Sequence, residues 1–492
     1  MFYYNEDLEA NICEIFFLSN DRSYFRLYDK NLSFISFVHM KINNLYFLKN
    51  VLKRFDKYKV CVILLENHFG EILMPDKKIK ILVISDDFRC KSGVAHQTKN
   101  MVLGLIKTGK YSFVYLCGGM NHPNHNPFKF QDLGDDFVGI PVDGYGNPDL
   151  IRTMLFLHKP DVLWFMTDPR YYTWLWDFSN EIRANVPMVY YHVWDNYPIP
   201  YFNKPLYCSN DVICSISKLT ADCVKKVAPE IKHINLPHAY DTDVFKTLSQ
   251  EERMALRKQH FGDDADKFIV FWNNRNAGRK RPVSLILYFQ EFLKRVGQDK
   301  AVLLMHTSPA DPAGQPLNHI LERFEMNRGQ VKISDGDLIP TDMNKLYNMV
   351  DCTVSISNAE GWGLSISESL LAGVPVVCTK TGGMQEQLTD GINIFGELIE
   401  PTAQCVIGSQ GDVPYIYEDV VGEKDFVDAL ERIYNKTPEE RQRLGQLGQQ
   451  HALKNYTLKD YINKWDRVFQ DTVEEFGSWP NKQYQRFTIK TF

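Results

Sequence analysis

At 492 residues the chain is about three times the ~150 residues of an ordinary domain, so two or more lobes are expected. Its 44% apolar and 24% charged residues are those of a globular protein and exclude disordered, collagenous and membrane-embedded classes. A net charge of −5 argues against broad non-specific nucleic-acid binding, although a local basic cleft can sit within it.

The ten cysteines form no CxxC pair and no zinc spacing, and several lie in apolar runs, as reduced thiols do. Glu6, Asp7 and Glu9 are unlike the basic start of a signal peptide. No apolar run approaches the ~18 residues of a membrane span. A cytoplasmic protein with no membrane span is the expectation.

In chain order, residues 1–76 read as an N-terminal extension of unknown role, with a strand at 34–40, a helix at 44–58 and a second strand at 59–65. A fresh start follows at Lys80. Apolar strands are predicted at 81–85, 113–117, 162–166, 188–191 and 212–215, with a helix over 95–108 after the Ser92-Gly93 loop. Short continuous apolar strands alternating with helices imply a parallel sheet covered on both faces. A charged helical stretch at 249–260 separates this lobe from a second one. That lobe has strands at 268–272, 301–306, 331–334, 352–356 and 374–378 and helices at 282–296 and 364–372. A last helix covers about 458–476, and the tail 477–492 is unassigned. The boundaries are thus 1–76, 77–248, 249–456 and 457–492, the final segment a candidate to cross back to the first lobe. Two α/β lobes in one chain place a ligand in the cleft between them, at the carboxyl ends of the strands.

The most informative run is Glu360-Gly361-Trp362-Gly363-Leu364 through Glu368, closed by Ala372-Gly373-Val374-Pro375. Glycines on either side of Trp362 let the backbone turn, and the free N–H groups of the helix start near Leu364 suit a diphosphate. One carboxylate precedes the turn and one lies in the first helical turns, so both can accept hydrogen bonds from vicinal hydroxyls. A strand–turn–helix with solvated glutamates is the plainer reading of the run taken alone.

This run resembles the E-x7-E signature of retaining GT-B glycosyltransferases of family GT4. Further stations occur in the family's order. Arg275, with Lys280 five positions on, resembles the pair that binds the donor diphosphate, although Arg279 and Arg281 crowd the same loop. Ser217 resembles the serine that ends the IxxS segment. Residues 236–241 with Phe245 resemble the PNGVD hinge, with His238 and Ala239 replacing its Asn and Gly. Thr381-Gly382-Gly383 with Glu386 resembles the GGxxE stretch. The resemblance covers roughly residues 80–456 and implies a GT-B fold: two Rossmann-like domains facing a cleft, an acceptor domain over 77–248 and a donor domain over 249–456. It implies transfer of a sugar from a UDP- or GDP-linked donor, as co-substrate, to a saccharide or other hydroxyl acceptor. No other cofactor and no obligatory metal are implied. Catalytic roles fall on Glu360, His192, Arg275 and Lys280. Donor binding falls on Glu368, Gly361, Trp362, Gly363, Leu364 and Gly93, the last in the loop after the first strand of its lobe.

His192 alone, after an apolar strand, reads as well as a core histidine. Tyr171, Tyr172, Trp174, Trp176, Tyr190, Tyr191, Trp194, Tyr197 and Tyr201 suit either sugar stacking or core packing. Because stacking serves bases too, a modified nucleic-acid base stays open as an alternative acceptor, and a non-catalytic binding scaffold as an alternative role. The GxxxxGK match at 104–110 ends a helix and is followed by Tyr111, unlike a P-loop. The DxD triplets at 241–243 and 335–337 are unsurprising at this acidic content and lie outside an N-terminal nucleotide half, and the His122/His125 loop pair has no further ligands in view.

Overall fold

The computed structural model describes the backbone of residues 10–18, 22–29 and 34–41, and residues 78–409 and 413–482 in full. The chain divides into two units, Met1–Asp76 and Lys77–Phe492. In the first, β1 (Ala10–Leu18), β2 (Arg22–Asp29) and β3 (Phe34–Lys41) form an antiparallel sheet in that order. Neither β1 nor β2 is foreseen above. The helix and strand expected at 44–58 and 59–65 lie outside the described residues.

The second unit holds both lobes. The first lobe's sheet comprises β4 (Ile79–Asp86), β5 (Tyr111–Gly118), β6 (Phe137–Pro141), β7 (Val162–Thr167), β8 (Met188–His192), β9 (Val212–Ser215) and β10 (Lys232–Asn235). Its order is β10-β9-β8-β7-β4-β5-β6, every pairing parallel. The second lobe's sheet comprises β11 (Phe268–Asn273), β12 (Ala301–His306), β13 (Val331–Ser334), β14 (Cys352–Ser355), β15 (Val376–Thr379) and β16 (Gly396–Ile399). It is also wholly parallel, in the order β13-β12-β11-β14-β15-β16. The strand expected from Val374 starts two residues later, because Pro375 has no N–H to give the ladder. Beyond β16 an antiparallel hairpin pairs β17 (Ala403–Ile407) with β18 (Ile416–Val420).

The helices that matter for the cleft are α1 (Gly93–Ile106), α2 (Lys218–Val227), α3 (Pro282–Val296), α4 (Pro340–Asn348), α5 (Leu364–Leu371), α6 (Met384–Gln387), α7 (Pro438–Asn455) and α8 (Leu458–Phe476). Central strands read as unbroken apolar runs because both faces are covered: Ile81, Leu82, Val83 and Ile84 are each 0% exposed.

Helix α8 returns to the first lobe. Tyr240 N–H donates to Tyr456 O (3.0 Å) and Leu458 N–H to Tyr240 O (2.8 Å) as the chain crosses. Trp465 then packs edge-on against Trp164 (5.6 Å) and Tyr191 (5.0 Å), and the Tyr111 hydroxyl donates to Asp466 Oδ1 (2.6 Å). Gly104, part of the P-loop-like match, lets α8 approach: a Cβ there would strike the Ile462 side chain. Past the helix, Trp479 Nε1–H donates to Pro160 O (2.8 Å).

Candidate functional site

In each sheet the strand order reverses beside the first strand of the lobe, and in open α/β sheets the crevice at that switch is where ligands bind. In the second lobe the switch lies between β11 and β14. The loop after β11 carries residues 274–281 and the loop after β14 carries Glu360.

Lys280 is buried and its ammonium donates to Glu360 Oε1. Arg279 joins them: its NH1 lies 3.7 Å from Glu360 Oε2 and 3.6 Å from Asp195 Oδ2, and donates to Ala359 O (2.6 Å). Burial opposes charge on Glu360, but Lys280 and then Arg279 outweigh it and hold the carboxyl below its usual range. Asp195, in the loop after β8 of the first lobe, goes the other way. Burial raises it, with Glu360 adding to the rise against the pull of Arg279. Two carboxylates, one from each lobe, therefore share one arginine.

The two lobes meet here. A Cβ at Gly361 would stand 2.7 Å from Asp195 Oδ1, and one at Gly93 the same distance from Leu364 Cδ1. Only glycine admits the first-lobe backbone this close to the start of α5. Gly363 enters that helix at φ 88°, with no side-chain cap on the first turn.

Four residues into α5, Glu368 accepts a hydrogen bond from the Tyr347 hydroxyl (2.7 Å), which itself accepts one from Asn273 Nδ2 (2.9 Å). With no cation beside it, burial pushes the Glu368 carboxyl up to about 7. The side chain of Trp362 is buried, edge-on to Tyr456 at 4.9 Å, and its Nε1–H donates to Ser367 (3.1 Å). Gln387 ties the turn together, donating to Trp362 O (2.6 Å) and accepting from Ser367 (2.5 Å).

Two of the expected catalytic residues stand apart from this cluster. Arg275 is 66% exposed and forks onto Asp311 (2.7 and 3.1 Å), away from Lys280. His192 is fully buried. Its Nε2 meets the Tyr207 hydroxyl at 2.9 Å, burial pushes its pKa down to about 3, and its Nδ1 has no partner among the described residues. Of the aromatic group, Tyr172, Tyr190, Tyr191, Trp176 and Trp194 are core, whereas Tyr171, Tyr197 and Tyr201 are exposed.

Sequence reasoning passed over Asp195, Asp311, Tyr347 and Gln387, and took Arg279 only as crowding. Asp195 had a signal, three positions past His192 on the same strand exit. Asp311 had none. The β17–β18 hairpin was also missed. It joins the loops of both carboxylates: Asn196 Nδ2 donates to Tyr417 O (2.7 Å), and Asn358 Nδ2 to Glu418 Oε2 (2.9 Å).

Solved structures share this arrangement of lobes. HepE from Anabaena, in complex with UDP and glucose, is 16% identical with a TM-score of 0.56, over 80% of this chain and 100% of that one. Sucrose-phosphate synthase from Thermosynechococcus elongatus is 11% identical with a TM-score of 0.62, over 81% and 100%. The α,α-trehalose 6-phosphate synthase of Burkholderia multivorans is 12% identical with a TM-score of 0.59, over 84% and 100%. The fold is GT-B.

Within this GT-B chain, residues 256–406 match the family described as glycosyl transferases group 1. The second lobe thus carries a group 1 glycosyltransferase domain. The match takes in both loops of the switch crevice and ends inside β17. A trehalose synthase from Rubrobacter xylanophilus is 25% identical over 161 residues, 32% of this chain and 38% of that protein, so the GT-B chain spans under two fifths of this curated relative. Among the described residues, no helix is long and apolar enough to cross a membrane.

Proposed function

We propose that the protein is a retaining glycosyltransferase that moves a sugar from a nucleoside-diphosphate donor to a hydroxyl acceptor, a saccharide first among them, held by the first lobe. The observation that carries this reading is the buried Lys280–Glu360 pair at the second lobe's switch crevice, facing Asp195 across the cleft. As the bond from the sugar to the diphosphate breaks, negative charge gathers on the departing phosphate. Lys280, buried, and Arg279, partly solvated, are both already held by carboxylates, so they stabilise that charge with little reorganisation. They take the place a divalent cation holds in other transferases. Arg275 leaves Asp311 to clamp the diphosphate, with the amides of 361–364 and the Gly93 backbone beside it. Glu368 accepts from the ribose hydroxyls, and Glu360 from the sugar.

The acceptor oxygen adds to the anomeric carbon on the face the phosphate leaves. Its proton passes to the leaving phosphate oxygen, and the anomeric configuration is kept. Asp195 orients the incoming hydroxyl. Closing the lobes excludes water, which would otherwise hydrolyse the donor.

A uridine-linked hexose is the first donor to test, since HepE is seen with UDP and glucose. The protein is incubated with UDP-glucose, UDP-galactose and GDP-mannose and a panel of sugar acceptors, following nucleoside-diphosphate release and the product's anomeric configuration by NMR. Release that depends on acceptor, retention, and its loss in Lys280→Ala and Glu368→Ala are expected. Undiminished turnover in both variants, or an inverted product, overturns the reading.

A further inference from the structure

Where α2 of the first lobe meets α6, α7 and α8 lies a cavity of about 530 Å³ that the proposed reaction does not use. It is bounded by Lys218 at the start of α2 in the first lobe, by Lys454 and His451 on α7, by Lys464 on α8 and by Glu386 on α6. Three lysines thus line one space from three elements, none of them in a direct ion pair among the described residues, with Lys218 acting at longer range on the Glu386 carboxyl. Protonation of His451 is disfavoured first by burial and, to a smaller extent, by Lys218 and Lys454. The two carboxylates present are already engaged: Glu386 Oε2 accepts from Lys218 N–H (2.7 Å), and Asp390 accepts from the amides of Ile392 (2.9 Å) and Asn393 (2.7 Å). The rest of the wall is uncharged, with Asn235 and Gln450 offering amides and Phe395 and Leu447 an apolar side.

We infer that this cavity binds a small phosphate monoester of sugar size, its phosphate between Lys218 and Lys454 and its hydroxylated body along Gln450 and Phe395. Three unpaired cations call for an anion, and the amides beside an apolar side suit a polyol ring. The volume exceeds what phosphate alone would fill. The occupant would join the first lobe to α7 of the second. It would also sit beside α6, where the Glu386 carbonyl accepts from Tyr456 (3.3 Å) and the next residue, Gln387, secures the Trp362 turn. The site lies outside the proposed donor crevice, so it stands or falls separately from the transferase reading.

The test is equilibrium binding of glucose 6-phosphate and of inorganic phosphate to the full chain at constant ionic strength. Wild type is compared with the Lys218→Gln/Lys454→Gln double variant, Lys464→Gln and Lys280→Ala. The substituted cavity lysines are exposed, so their variants should fold, which circular dichroism checks. Saturable glucose 6-phosphate binding is expected, at least fivefold tighter than phosphate, weakened at least tenfold in the double variant and unchanged in Lys280→Ala. Absence of saturable binding overturns the proposal. So does loss in Lys280→Ala with the double variant intact, which would put the anion in the main cleft. Equal affinity for inorganic phosphate overturns the sugar-sized occupant.

Discussion

In the first lobe two carboxylates just past strand ends find partners two residues on. Asp87 takes Arg89 (2.6 Å) and Asp168 takes Arg170 (2.9 Å), with arginines 51% and 45% exposed. In the second lobe Glu360 takes Lys280 from 80 positions away, and the lysine is only 11% exposed. Local exposed pairs contribute about 0–1 kcal/mol and can be exchanged for a ligand's hydroxyls at little cost. A buried pair from opposite sides of a sheet switch adds little net stability, but breaking it strands a charge. Adjustable groups thus face one side of the cleft and the fixed Lys280–Glu360 pair the other, as the proposed reaction asks of one lobe that receives acceptors and one that manages the leaving group.

The sharpest way to break this contrast is to remove one partner of each kind. Lys280→Ala should lower turnover by ~10²–10³-fold and stability by about 3 kcal/mol, read by product release and denaturant melts. The double variant Lys280→Met/Glu360→Leu should recover most of the stability and none of the activity. Arg170→Ala, whose partner Asp168 is itself partly exposed, should leave stability within about 1 kcal/mol of wild type. If Lys280→Ala and Arg170→Ala behave alike, the two sides of the cleft do not differ as argued.

A smaller effect is expected at a first-lobe carboxylate that reaches across the cleft. Asp195 pairs across the cleft with Arg279 rather than within its own loop. Asp195→Asn should lower turnover by about 10²-fold while leaving nucleotide affinity within about twofold, because the group serves the incoming hydroxyl. A rise in donor Kd with kcat unchanged would move Asp195 to the donor side.

Arg275 tests the contrast from within the second lobe, since its pair with Asp311 is as exposed as the first lobe's pairs. A pair worth about 1 kcal/mol or less is readily displaced by a diphosphate. Arg275→Ala should weaken nucleotide binding about tenfold, and Asp311→Asn should tighten it about threefold by releasing the arginine. Calorimetry on the two variants decides. Weakening in Asp311→Asn would mean that the carboxylate supports the bound state instead.

The same division explains what could be read in advance. The helix Pro282–Val296 and the strand Ala301–His306 stand where their patterns put them. Elements buried on both sides declare themselves as apolar runs. The edge strands Phe137–Pro141 and Lys232–Asn235 went unseen because an edge is only half covered, and a sequence such as Lys-His-Ile-Asn carries no apolar period. Glu360, Lys280 and Glu368 were named from the family resemblance, and the structure brings the first two together in one buried pair. Asp195 and Asp311 depend on which loops tertiary packing brings together, and spacing does not encode that. Trp362 shows the converse: its place in the motif was plain, but its ring faces the core.

The mildest test uses protons. Glu368 and Glu386 both have carboxyls pushed up to about 7, burial being the first cause in each. In the unfolded chain both titrate near the ordinary value of about 4.3. Between those pH values the folded protein holds protons that the unfolded chain has released, so stability falls as pH rises from about 4.5 to 7 and levels off above. Donor binding should run the opposite way. Only ionised Glu368 can accept two ribose hydrogen bonds, so nucleotide Kd should rise about fourfold on going from pH 8 to pH 6.5. Glu368→Gln should bind weakly and without that slope, whereas Glu386→Gln should keep it, having no part in the ribose contact. A slope that survives in Glu368→Gln would transfer the titration to the nucleotide or to Asp195, and the ribose role would then pass from Glu368 to its neighbours on α5.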